Sequence, residues 1–161
     1  GYLLEHLDNL ENINFNINII GKSQGDFALN FINQIEKHKK INYLGLVSDP
    51  ENYISSAKLI WCLSKGEGQS LALIEALQKG KPIISTNYEA AEDLVINNKN
   101  GYLIKNKRIS SFINSTNDLL EDKSKYESFS NYSKKLFKKN FSNEVFNNNI
   151  KKLIEDVTTN S

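Results

Sequence analysis

Apolar positions along this chain change their period several times, and each change marks an element. Tyr2, Leu3, Leu4, Leu7 and Leu10 recur at helical spacing, whereas Ile13, Phe15, Ile17 and Ile19 alternate strictly with asparagines. The spacing predicts a helix, then a half-buried strand that ends at Gly21. Phe27, Leu29, Phe31, Ile32 and Ile35 predict a second helix running into the charged tract at residues 36–40. A short strand over 41–47 follows. Asp49 and Pro50 then read as an N-cap and a first helical position, opening a short helix towards Ala57. Residues 59–63 are apolar enough for a strand buried on both faces. Leu71, Leu73, Ile74 and Leu77 return to helical spacing, Gly80 stops that helix, and 82–86 reads as another strand.

Strands that alternate with helices through short connections predict an α/β fold. Parallel neighbours need crossover segments, so the sheet is expected to be parallel with helices on both faces, in the Rossmann manner. From Ile109 onward strand signals vanish, and three helices are predicted near 111–120, 126–139 and 144–157. Neither an internal repeat nor a Pro/Gly/Ser-rich linker divides the chain, so residues 1–161 are expected to form a single domain.

Composition narrows the function classes. The 161 residues suffice for one domain with a real core. The 20 basic and 19 acidic side chains leave a formal charge of +1, which gives no field to attract nucleic acid, and no basic strand carries interleaved aromatics. A single cysteine, Cys62, excludes an internal disulfide framework. With no signal peptide and no bilayer-length apolar run, the expected setting is cytoplasmic, with peripheral contact at the inner face of the cell membrane as a variant. Met is absent, so Gly1 is not a translation start, and the chain is expected to be an excerpt of something longer.

The stretch from Leu63 to Thr86 carries the candidate chemistry. It places a turn between the buried strand and the helix that begins near Gln69 or Ser70, and Gly66 and Gly68 free the backbone for close approach there. The unpaired N–H groups at that helix start, beside the positive end of its dipole, make an anion site, with phosphate the natural candidate. In such sheets ligands bind at the carboxyl ends of the strands, which is where this turn lies. Glu67 is in the turn, and Glu75 lies roughly 8 Å along the helix axis at about 1.5 Å per residue. Two carboxylates flanking one phosphate pocket suit a ligand with a central diphosphate and a polyol at each end, which describes a nucleotide sugar.

The Glu, seven residues, then Glu-Ala, closed by Gly80-Lys81-Pro82, resembles the signature of family 4 retaining glycosyltransferases (glycosyl transferases group 1) of the GT-B fold. Gly45 to Val47 resembles the family's strand end beside the nucleotide base. Asn100-Gly101-Tyr-Leu-Ile resembles its asparagine-glycine strand start, and Phe141-Ser-Asn-Glu144 the start of its last helix. The resemblance covers nearly the whole chain and implies the C-terminal, donor-binding half of such an enzyme. It makes Glu67 the catalytic-site carboxylate that binds the donor sugar's hydroxyls and gives Glu75 the ribose. Gly68, Gln69, Ser70 and Leu71 line the diphosphate and sugar with backbone groups, and Leu46 and Val47 flank the base. No metal or other cofactor is implied, and no Asp-x-Asp motif occurs. The donor is expected to be UDP- or GDP-linked, and the acceptor a glycan or lipid-linked glycan held by an N-terminal domain outside this sequence.

The pattern departs from the family in places. The usual basic pair and the first strand of this domain are expected upstream of Gly1, so residues 1–161 alone are expected to turn over nothing. Glu89 and Ala90 stand where many relatives have a Gly-Gly pair, and Lys22 and Ser23 replace the common acidic and glycine residues. Trp61 and Cys62 read as core, and His6 and His38 lack ligand-spaced partners. Lys134, Lys135, Lys138 and Lys139 read as a solvated helix face, with a lipid-facing amphipathic helix as the sharper alternative. Two other functions compete with a transferase: a non-catalytic GT-B-like sugar-binding or assembly module, and a sugar-nucleotide epimerase, which would need further acid and base groups.

Overall fold

The computed structural model describes residues 10, 13–22, 30, 32–64, 70–105 and 108–159. Five strands run through it: β1 (Ile17–Ile20), β2 (Ile41–Gly45), β3 (Ile60–Cys62), β4 (Ile83–Thr86) and β5 (Gly101–Ile104). Among the described residues six helices are bounded at both ends, α1 (Pro50–Ser56), α2 (Leu71–Gln78), α3 (Glu89–Leu94), α4 (Ile109–Glu121), α5 (Lys123–Asn140) and α6 (Asn143–Thr159), and residues 30 and 32–35 are helical as well. Every strand pairing is parallel, β1 with β2 and then β3-β4-β5 in that order. The α/β layering expected from the alternating pattern is what the chain adopts, down to the final run of helices.

Side-chain alternation along the strands separates two cores. Ile17, Ile19, Trp61, Ile84, Tyr102 and Ile104 pack on one face with Phe112 and Leu119 of α4. Ile60, Cys62, Ile83 and Leu103 pack on the other with Leu73, Ala76 and Leu77 of α2, Leu94 of α3, and Leu136 and Phe137 of α5. The apolar half of the 134–139 run is thus committed to packing, and its lysines are exposed. On α6, Phe146, Ile150, Leu153, Ile154 and Val157 are exposed.

Local chemistry explains the element ends. The Asp49 carboxylate accepts from the Asn52 N–H at 3.0 Å and caps α1, with Pro50 just inside the helix. Gly80 takes φ +65°, its N–H donates to Leu77 O at 3.0 Å, and the Lys81 N–H donates to Ala76 O at 2.8 Å. That is a Schellman ending, and it explains why glycine, then Lys81 and Pro82, follow α2.

The sequence reading differs from the fold in three places. The first strand is only Ile17–Ile20, because residues 14–15 bend away before pairing begins. The α3 helix escaped notice, being only six residues with two apolar contacts to a core. Finally, β3 is half-buried throughout, whereas β4, paired on both sides, is fully buried. The difference is that β3 has a partner on one edge only among the described residues.

Where β5 meets α4, Lys125 Nζ lies 2.6 Å from Asp118 Oδ1, and the Tyr102 hydroxyl donates to the other carboxylate oxygen. The Lys125 hydrogen bond, then the Tyr102 one, holds the Asp118 carboxyl below its ordinary range. A depressed carboxylate adds stability above its unfolded pKa, about 3.9, and loses it as pH falls through the lower folded value. Asp118→Asn should therefore lower the urea midpoint at neutral pH and have little effect at pH values below the folded carboxyl's. Urea titrations across that acid range check it.

Candidate functional site

Within each of the two sheets the parallel pairing brings the carboxyl ends of its strands to one edge, and the candidate residues follow strands there. At the end of β1 the Gly21 N–H donates to Gly45 O at 2.9 Å, while the Tyr43 hydroxyl donates to Gly21 O at 2.8 Å. The exits of β1 and β2 are thereby tied together. Leu46 and Val47 follow directly; Leu46 is 75% exposed and Val47 is half-buried. Lys22 is exposed beside them.

On the other side, the Thr86 hydroxyl at the end of β4 donates to Ser64 O, fixing the point where the chain leaves β3 for the turn. Lys65, Gly66, Glu67, Gly68 and Gln69 lie outside the described residues, and with them the roles that the resemblance implies for Glu67, Gly68 and Gln69. The structure resumes at Ser70, which is buried at the N-cap of α2. Its carbonyl accepts from the Leu73 and Ile74 N–H groups at 3.1 and 3.2 Å, but its side chain makes no capping hydrogen bond. The first turn of α2 carries no acidic residue, whereas α1 has Glu51 and α3 has Glu89 and Glu92 there. Those helices neutralise their own positive ends. Among the described residues the start of α2, like that of α4, has neither an acidic first turn nor a side-chain cap, so its N–H groups can meet an anion.

Glu75 sits one turn further along α2, half-buried, with no hydrogen-bond or ion-pair partner among the described residues. A partly desolvated carboxylate without a partner is costly to keep, and hydroxyl donors from a ligand would satisfy it. Together with Ala72, Pro50 and Tyr53, Glu75 lines a cavity of about 470 Å³ that opens between β1 and β3. Leu46 and Val47 lie outside that lining, at the end of β2. Leu71 belongs to the helical apolar pattern yet is 71% exposed, so it contributes backbone at the helix start and no side chain to the core.

Sequence reasoning missed Tyr43 and Thr86 as the residues that position the strand exits. It also missed Asn87, whose Oδ1 is buried at the carboxyl end of β4 without a donor among the described residues. A hydroxyl or amide immediately after an apolar strand is the only signal that could have found Thr86 and Asn87; nothing marks Tyr43. Trp61 and Cys62 face the two cores. The Trp61 Nε1 donates to Thr116 Oγ1 at 2.9 Å, and the Cys62 thiol lies 3.5 Å from the Tyr88 hydroxyl. Among the described residues no three His, Cys, Asp or Glu side chains cluster as metal ligands would, and no helix is long and apolar enough to cross a membrane.

Comparison with known proteins follows this geometry. The family model described as glycosyl transferases group 1 matches residues 1–136. Over 67 residues the chain is 34% identical to the poly(ribitol-phosphate) alpha-N-acetylglucosaminyltransferase of Staphylococcus aureus (strain COL), covering 41% of this chain and 14% of that protein. Over 93 residues it is 31% identical to the UDP-Gal:alpha-D-GlcNAc-diphosphoundecaprenol alpha-1,3-galactosyltransferase of Escherichia coli, covering 58% and 24%. Among solved structures, Anabaena HepE in complex with UDP superposes with a TM-score of 0.83 at 19% identity, over 93% of this chain and 44% of HepE. The pneumococcal O-GlcNAc transferase GtfA in complex with UDP and GlcNAc superposes at 0.74 with 21% identity, over 98% and 32%. The chain therefore spans less than a third of each curated relative and less than half of each solved neighbour.

Proposed function

We infer that this chain, which belongs to the glycosyl transferases group 1 family, is the donor-binding part of a retaining glycosyltransferase that takes its sugar from a nucleoside diphosphate sugar. The observation that carries the reading is the start of α2. A helix N-terminus with no side-chain cap and no acidic first turn stands one turn from a Glu75 carboxylate that has no partner among the described residues, at the carboxyl end of β3. UDP is the preferred nucleoside diphosphate, since HepE and GtfA were both solved in complex with it; GDP is the second choice.

In this reading the diphosphate lies across the first turn of α2, on the backbone of Gly68, Gln69, Ser70 and Leu71. Glu75 accepts from the ribose hydroxyls, Leu46 and Val47 flank the base, and Glu67 accepts from the donor sugar's hydroxyls. Transfer breaks the bond between the sugar's anomeric carbon and the β-phosphate oxygen and forms one to an acceptor hydroxyl, whose proton passes to solvent. The departing diphosphate keeps the electron pair, and the helix N-terminus stabilises that charge as it develops, without a metal ion. A glycan or lipid-linked glycan acceptor binds through parts of the protein outside residues 1–161.

Calorimetric titration of UDP, GDP and their sugar conjugates into the full-length protein tests the reading. Saturable one-site binding that survives EDTA is expected. No binding of any nucleoside diphosphate would remove it in favour of a sugar-binding or assembly module.

A further inference from the structure

We propose that Lys58, Lys81 and Lys134 form a second anion site, separate from the donor pocket, that takes a phosphoryl group, whether free as in pyrophosphate or carried on a phospholipid headgroup. The inference rests on where the fold places these lysines and not on the nucleotide-sugar reading, so either can fail without the other.

The chain is close to neutral, with 20 basic and 19 acidic side chains, yet residues 128–143 hold four lysines and no acidic residue. The fold sharpens that imbalance. Lys58 comes from the loop before β3, Lys81 from the loop before β4, and Lys134 from α5. Contacts with α5 draw them together. The Tyr126 hydroxyl donates to Lys58 O at 2.9 Å, the Ser133 hydroxyl donates to Lys81 O at 2.9 Å, and the Lys134 stem lies over Gly80. Lys81 is half-buried, and its ammonium donates to Ser55 O at 2.6 Å, at the carbonyl end of α1. That bond uses one of its three N–H donors. Lys58 and Lys134 are exposed, and so is Lys138, one helical turn beyond Lys134 on the same face.

Elsewhere the chain sets lysines against carboxylates: Lys79 with Glu51, Lys123 with Glu127 and Lys125 with Asp118. None of Lys58, Lys81 and Lys134 has an ion-pair partner among the described residues. Burial, then the charges of Lys58 and Lys134, holds the Lys81 ammonium below its ordinary range. Like charges gathered without a counter-ion repel, and a multivalent anion between them turns that repulsion into attraction. Lysine suits a phosphoryl group as a compact point charge with several donors. Four lysines on one helix would by themselves signify a solvated face; two further lysines from separate loops, one of them half-buried, make the cluster a site. It lies at the amino ends of β3 and β4, on the edge opposite the donor pocket. Strands of three and four residues, at about 3.3 Å per residue, put the two edges roughly 10–13 Å apart, so both sites can be occupied together.

Two probes applied to the full-length protein test this and separate the sources. Calorimetric titration of pyrophosphate, with and without saturating UDP, reads the free anion; co-sedimentation with phosphatidylglycerol vesicles, against phosphatidylcholine vesicles, reads the headgroup. At least one probe should bind, and UDP should leave that binding in place. The triple variant Lys58→Gln, Lys81→Gln, Lys134→Gln should weaken it about tenfold or more. The control Lys39→Gln, Lys123→Gln, Lys151→Gln removes equal charge at exposed positions elsewhere and should change it less than about threefold. Because Lys81 also ties down the end of α1, Lys58→Glu serves as a second variant, expected to weaken binding about fivefold or more with the urea midpoint unchanged. Failure of both probes to bind, equal losses in the two triple variants, or complete displacement of pyrophosphate by UDP overturns the proposal.

Discussion

Glu75→Ala in the full-length protein is expected to weaken nucleoside diphosphate binding about ten- to a hundredfold. The lost interaction is a hydrogen bond to a charged group, worth about 1.5–3 kcal/mol, and Glu75 has no hydrogen-bond or ion-pair partner among the described residues. Glu67→Ala is expected to act differently. If Glu67 grips the donor sugar, its loss leaves affinity for the free nucleoside diphosphate nearly unchanged and lowers kcat/KM for transfer on the order of a hundredfold or more. Calorimetry with the nucleoside diphosphate and initial rates with its sugar conjugate separate the two. Equal effects of both variants on both measurements would mean that the carboxylates do not sit at opposite ends of one ligand.

Gly101→Ala is expected to be among the most destabilising single-methyl additions in the chain. A Cβ at Gly101 would overlap the carbonyl oxygen of Ile83 and come within 2.9 Å of Val95 Cγ1. The obstacle is backbone of the neighbouring strand, which cannot rotate aside as a lysine tip can. The added atom also strikes the ladder where the Ile83 N–H donates to Asn100 O at 3.0 Å. Roughly 3 kcal/mol or more should be lost, the upper end for overpacking a core. Asn100→Ala should cost roughly 2–4 kcal/mol for a different reason. The buried Asn100 side chain accepts from the Ile96 N–H at 2.7 Å and donates to Leu94 O at 2.9 Å, and both groups would be left unpaired. Denaturant midpoints of the two variants against Gly80→Ala provide the measure. The Gly80 site, although at φ +65°, would press a Cβ only on the flexible Lys134 side chain, so its penalty should be the smaller.

The asparagine-glycine pair shows how a family signature can be legible before its physics is. As a sequence, Asn100-Gly101 marks the start of a strand by resemblance alone; in the fold the asparagine closes the loop after α3 and the glycine permits β5 to approach β4. Periodicity was sufficient for β1 to β4 and for α4 to α6, because each buries a regular set of apolar positions. It was insufficient for β5, whose four residues carry no alternation, and for the six-residue α3. Strand order was not legible at all. Burial pattern reports which face of a strand is covered but says nothing about which strand lies beside it, so the opening between β1 and β3 emerged only from the pairing. Helical spacing did put Ser70 at the start of α2 and Glu75 inside it. The exposed Leu71 shows the limit of that logic, since a leucine in helical phase reads as core whether or not a neighbour is there to cover it.

The central claim is that a nucleoside diphosphate sugar lies across the start of α2, and photolabelling tests it most directly. Irradiating the full-length protein with an azido-substituted UDP-sugar, then mapping the modified peptides, should place the label within residues 45–50 or 64–79, with protection by excess UDP. Labelling confined to other segments, still abolished by UDP, would contradict it.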